Sequence, residues 1–322
     1  LKDGHGIDWP IRYADIAPWY SYVEKFIGVS GQAEGLDQLP DGEFLAPMEM
    51  NVLERHVRER IEASFPGRTM TIGRTAVLTE PLDHSDRGVC HYCGPCHRGC
   101  SVGAYFSSLS STLPAARLTG NLTLEANSVV SSLDYDPDSN RVTGVRVLDA
   151  ETKAARTISA RVVFLCASAL GSTQILLNSR SEALQNGLAN RSGALGRYLM
   201  DHTYGAGARG IFSGFDDFYP QGSRPNGIYV PRYRNVREDE ALPFLRGYGF
   251  QGGASRMNWQ AMARLTPGFG AEFKASLRRP GPWVMNRGGF GECLPNAANR
   301  MTLHPSKVDR FGIPLVSFEF RW

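Results

Sequence analysis

Four of the six cysteines fall within eleven residues, Cys90-His91-Tyr92-Cys93-Gly94-Pro95-Cys96-His97-Arg98-Gly99-Cys100. They are separated by two, two and three residues. A thiolate needs a soft electrophilic partner, and spacings this short let one turn wrap several sulfurs around one centre. The run matches the bacterial ferredoxin pattern, except that the fourth cysteine there serves a second cluster, and no second set is present here. Three readings stay open: an iron–sulfur cluster, a closed four-thiolate zinc site, or a disulfide pair or bare structural loop, the disulfide requiring an oxidising compartment. His91 and His97 sit inside the run and are read as non-ligands. Cys166 and Cys293 read as small buried hydrophobes.

The elements that must position this loop follow from periodicity and punctuation. Ile16, Tyr20, Val23 and Phe26 recur at helical spacing before Gly28, and Leu53, Val57 and Ile61 repeat the pattern before Pro66-Gly67. After the cysteines, residues 101–118 read as helix. Residues 122–135 and 141–148 flank a Pro-Asp-Ser-Asn turn and are expected to form a hairpin. The continuous apolar run Val162-Val163-Phe164-Leu165-Cys166 predicts a strand buried on both faces. Small residues break it, and a helix is expected over 173–179. From residue 202 on, short strands dominate, with expected spans 204–212, 227–233, 247–255, 283–292, 300–304 and 314–320, and one helix near 269–277. About six strands predict a largely antiparallel sheet.

Composition narrows the class. The chain has 322 residues, 42% hydrophobic and 21% charged, with a net charge of +3. That suits a globular fold of one large or two ordinary domains. No Lys/Arg-rich tract points to nucleic acid, and no apolar stretch approaches the ~20 residues that span a bilayer. Both ends look cut, so the chain is expected to be an internal fragment, inactive alone. Gly205-Ala206-Gly207-Ala208-Arg209-Gly210 matches a dinucleotide fingerprint, but no strand precedes it and no helix follows. It is read instead as a Gly-rich strand passing close to something bulky.

Ala167-Ser168-Ala169-Leu170-Gly171-Ser172-Thr173-Gln174-Ile175-Leu176-Leu177-Asn178-Ser179 resembles the second signature of the glucose–methanol–choline (GMC) flavin oxidoreductases. Leu195-Gly196-Arg197-Tyr198-Leu199-Met200-Asp201-His202 resembles a further family segment, and Trp9-Pro10-Ile11-Arg12-Tyr13 resembles the stretch after the flavin attachment loop. The resemblance implies a mixed α/β and α+β chain: part of an FAD-binding Rossmann-like domain plus a substrate domain. It divides the chain into a helical lid part at 1–65, an FAD-domain part with the Cys-rich loop at 66–200, and the antiparallel substrate domain at 201–322.

The resemblance also implies FAD, with the Val130 backbone meeting the adenine and Ala167, Ser168 and Ala169 forming the turn near the cofactor. The Cys loop is similar to that of bacterial sugar dehydrogenases carrying an iron–sulfur cluster. Cys90, Cys96 and Cys100 then fall at ligand positions, with Cys93 an additional thiolate, as a 3Fe-4S or 4Fe-4S cluster would require. The expected reaction is oxidation of a sugar or glycoside hydroxyl, with a small subunit and a cytochrome or quinone as partners, in the periplasm or alternatively the cytoplasm. Tyr248, Trp283, Asn286 and Glu292 are the candidates for stacking and hydroxyl bonding. The catalytic His and its His or Asn companion are expected beyond residue 322. A metal-free GMC oxidase and a zinc-stapled binding module for a glycan or a protein are the alternatives.

Overall fold

The computed structural model describes residues 4–236 and 242–322. In chain order the elements are α1 (Tyr13–Ile27), α2 (Val52–Ser64), β1 (Thr71–Ile72), α3 (Thr112–Leu118), β2 (Ser128–Asp136), β3 (Arg141–Asp149), β4 (Ala155–Ser159) and α4 (Ser168–Asn178). They continue with β5 (His202–Phe212), β6 (Ile228–Val230), β7 (Gly249–Arg256), α5 (Trp259–Leu265), α6 (Gly270–Ser276), β8 (Trp283–Glu292), β9 (Arg300–Val308) and β10 (Pro314–Glu319). They group into two compact units, each discontinuous in sequence.

The sheet unit comprises Asp8–Leu122 and His202–Glu292. Its five strands run in the order β1-β6-β7-β8-β5, and every pairing is antiparallel. Cross-strand partners share a face, so the register sorts the residues. Ile72, Ile228, Val230, Trp283 and Met285 all belong to one core cluster with Leu53 and Ile61 of α2. Fully burying a side chain such as Leu53 contributes about 1.5–3 kcal/mol. α2 starts where Asn51 and Glu54 cap each other: Asn51 Oδ1 accepts from the Glu54 N–H at 3.0 Å, and Glu54 Oε2 accepts from the Asn51 N–H at 2.9 Å. Glu54 is fully buried, also accepts from the Ala254 N–H, and pairs with Arg224.

The second unit comprises Leu1–Ile7, Thr123–Asp201 and Cys293–Trp322. It holds the three-stranded meander β2-β3-β4, the two-stranded pair β9-β10, and α4. α4 is fastened to β2 by Asn178, whose side-chain amide donates to the Ser131 carbonyl at 2.9 Å, and by Ser179, whose Oγ accepts from the Leu133 N–H at 2.8 Å.

Several expectations change. The last two strands pair with each other rather than extending one sheet of about six. The run at 162–166 is not a strand; Val162 is 67% and Phe164 83% exposed, and Cys166 is exposed too. Among the described residues no strand offers that backbone a ladder, and the meander is completed instead by β4, with Ile158 opposite Val145. The expected helix at 101–118 shrinks to α3. Ser107 and Ser110 exchange side-chain and backbone hydrogen bonds that compete with helix formation. The false fingerprint lies inside β5, with a bulge between Tyr204 and Gly207.

Candidate functional site

The cysteine loop is built on a small core of its own. Met48, Val77, Leu78 and Ala104 are buried, and Cys90, Cys100, Val102 and Tyr105 pack against them. The Cys90 N–H donates to the Leu78 carbonyl at 2.9 Å. Cys96–Arg98 form a single tight helical turn, flanked by Gly94 and Gly99, both at positive φ. Tyr92 is held in the left-handed region at φ 59°, and its carbonyl accepts from the Ser223 N–H at 2.8 Å. A Cβ on Gly222 would lie 2.5 Å from that carbonyl oxygen, so only glycine lets the two segments meet.

Cys90, Cys93, Cys96 and Cys100 all line one cavity, closed by Val77, Val102, Tyr105 and Pro225. Burial pushes the Cys100 thiol up, but the N–H groups of Tyr105, Val102, Ala104 and Gly103 outweigh it and leave Cys100 below the ordinary thiol value. Burial, reinforced by the charge of Cys90, holds Cys96 above that value. Behind the loop lies Arg87, 6% exposed, donating to the carbonyls of Ile27, Gly103 and Ala104 at 2.6, 2.8 and 2.9 Å. Burial pulls its pKa down, and the charge of Cys100 opposes that.

All six cysteines are free, which removes the disulfide alternative. Among the described residues no three His, Cys, Asp or Glu side chains converge closely enough to hold a single ion. The four thiols that line one cavity are soft donors of the kind that zinc and iron–sulfur clusters both take.

In the second unit, Ala167, Ser168 and Ala169 form an exposed turn that opens α4. Ser168 has φ 64°, and no side chain caps the helix. The first-turn N–H groups of an uncapped helix suit the polar or anionic atoms of a cofactor. Val130 lies on β2 opposite Val147, beside a bulge at Ser131. These residues fit a bound flavin nucleotide: small side chains, free N–H groups and a strand edge carrying Val130.

The expected substrate residues separate. Trp283 is 1% exposed in the core, its indole N–H donating to the Phe215 carbonyl at 3.0 Å, so it has no open face for stacking. Tyr248 is packed among Tyr233, Phe244 and Phe250. Glu292 is ion-paired with Arg246. Asn286 is exposed on the sheet face turned away from α2 and has no such ion pair. The register adds Gln251, Tyr229 and Tyr204 to that face, together with Gly207 and Gly288. These partners were missed because only strand pairing shows which residues share a face.

The sheet backed by α2 and the Cys-rich loop lie in one unit, the uncapped start of α4 in the other. The chain belongs to the GMC oxidoreductases, whose family model matches residues 4–204. A 2-methyl-1,2-propanediol dehydrogenase of Mycolicibacterium austroafricanum is 25% identical, the match covering 96% of this chain and 55% of the relative. The fructose dehydrogenase large subunit of Gluconobacter japonicus is 24% identical, over 97% of this chain and 56% of the relative. The gluconate 2-dehydrogenase flavoprotein of Pantoea cypripedii is 23% identical, over 98% and 54%. The chain thus spans a little over half the length of these relatives. Among the described residues no helix is long and apolar enough to cross a membrane.

Proposed function

We propose that the complete protein oxidises a sugar or glycoside hydroxyl with bound FAD and passes the electrons through an iron–sulfur cluster to an external acceptor. The observation that carries this is the cavity lined by Cys90, Cys93, Cys96 and Cys100, with four backbone N–H groups lowering the Cys100 thiol. Binding an alcohol needs no such cage, whereas a one-electron relay does.

FAD, when bound, supplies the acceptor for the hydride leaving the carbinol carbon. Ala167, Ser168 and Ala169 would hold it at the start of α4, and the Val130 backbone would meet its adenine. The open sheet face would do the orienting. Asn286 and Gln251 offer amide donors and acceptors to sugar hydroxyls, Tyr204 and Tyr229 offer ring faces, and Gly207 and Gly288 leave room for a planar group to approach. None of these residues is assigned as the base that takes the hydroxyl proton. Export to the periplasm, a small subunit, and a cytochrome or quinone acceptor complete the proposal. One relative is itself named a large subunit.

The test is an anaerobic absorption spectrum of the full-length protein with iron, sulfide and zinc analysis, before and after adding candidate sugars. Flavin bands bleached by a sugar, together with iron and acid-labile sulfide that Cys96→Ser removes, are expected. Flavin without iron would leave a metal-free GMC oxidase. Zinc without flavin would overturn the oxidoreductase assignment and leave a binding module.

A further inference from the structure

Arg287 stands in the middle of β8, between β7 and β5, on the face covered by α2. Its predecessors on that face, Trp283 and Met285, are core residues. A cation at such a position is costly unless an anion meets it. Among the described residues the Arg287 side chain has no hydrogen bond, no ion pair and no aromatic ring beneath it. Its cross-strand neighbours are small, Gly252 on one side and Ala208 on the other, so space opens around it.

The space is a cavity of about 340 Å³ at the C-terminal end of α2, walled by Ile61, Phe65, Val230 and Phe250. A second guanidinium lines it. Arg68 is held between the rings of Phe65 and Tyr233, 4.4 Å from each centroid. Ring contacts place a guanidinium without consuming its N–H donors. Arg68, too, has no acidic partner among the described residues. Among the described residues the cavity therefore combines an apolar body with two cations and no counter-charge.

We propose that this cavity binds a carboxylate with an apolar body. The carboxylate meets the N–H groups of Arg287 and Arg68, and the body lies against Ile61, Phe65, Val230 and Phe250. Two cations in a mainly apolar wall suit a monoanion better than a phosphate, which asks for more donors. The site lies on the sheet face opposite Asn286 and Gln251, so its ligand is not the alcohol to be oxidised. It stands on the fold of the sheet unit alone and is independent of the flavin and cluster assignments.

Calorimetric titration of the full-length protein with octanoate and with octan-1-ol tests this, since the two differ in charge but not in body. Octanoate is expected to bind once per chain and at least about tenfold more tightly than octanol, the worth of one charged hydrogen bond. Arg287→Gln should bring octanoate down to the affinity of octanol while leaving octanol unchanged. Thermal melting separates a ligand-binding arginine from a structural one. Arg287→Met should melt no lower than the parent without ligand, and octanoate should raise the melting temperature of the parent only. Equal affinity for the two probes, undiminished octanoate binding by Arg287→Gln, or no binding at millimolar octanoate would overturn the proposal. If the Arg287 variants fail to fold, Arg68→Gln carries the same comparison of probes.

Discussion

The cysteine loop and the segment at 160–169 carry the two strongest chemical signals in the chain, and they are supported in opposite ways. The loop rests on its own buried residues, is anchored by three hydrogen bonds from Arg87, and is clasped through Tyr92 to Ser223. The other segment holds an apolar run with Phe164 83% exposed, then an exposed turn with Ser168 in the left-handed region and an uncapped helix. The loop completes its walls from its own chain, whereas the turn at 167–169 leaves the start of α4 without a side-chain cap. Apolarity states what a segment would bury; backbone pairing decides whether it can.

Removing Arg87 should break this contrast most severely. Arg87→Ala strands one buried and two half-buried carbonyls and opens a void, and is expected to cost about 3–5 kcal/mol in denaturant unfolding. A loss below about 1 kcal/mol would show that the loop supports itself. Gly222→Ala comes next, since its φ is 75° and its new Cβ meets the Tyr92 carbonyl. An expected loss of about 1–3 kcal/mol should be accompanied by faster amide exchange at Ser223. Unchanged exchange there would mean that the clasp is incidental. On the other side, Ser168→Gly relieves a left-handed residue and should stabilise by about 1 kcal/mol, read from the melting temperature. Destabilisation would instead mark the Ser168 side chain as a structural cap. Smallest of all, Phe164→Ser in the 322-residue chain should leave stability within about 0.5 kcal/mol. A clear loss would reveal a surface that buries Phe164.

What could be read from the sequence divides along the same line. α2 was legible because Leu53, Val57 and Ile61 keep one period before Pro66-Gly67. The β2–β3 hairpin was legible because its turn residues suit a tight reversal, and Asn140 does adopt φ 53°. β4 was overlooked in favour of 162–166, because hydrophobicity outweighs the modest Ala155–Ser159 when no pairing information exists. The cysteines stood out by their spacing, but Arg87, a lone arginine in a loop, gave no sign that it supports them. Trp283 was selected for its ring and proved to be core. Arg287 carried no local signal at all, since its peculiarity lies in the strands beside it.

The clasp between Tyr92 and Ser223 also sets a timetable. The thiols emerge from the ribosome about 130 residues before Ser223 does. At roughly 5–20 residues per second, that leaves about 7–26 seconds in which the nascent loop lacks one of its walls. During that interval the four sulfurs are open to oxidants and to adventitious metals alike. A cluster proposed for this loop would have either to be loaded within those seconds on an unfinished chain or to enter later past a closed wall. Slowing translation downstream of Cys100 would lengthen the first route and leave the second untouched.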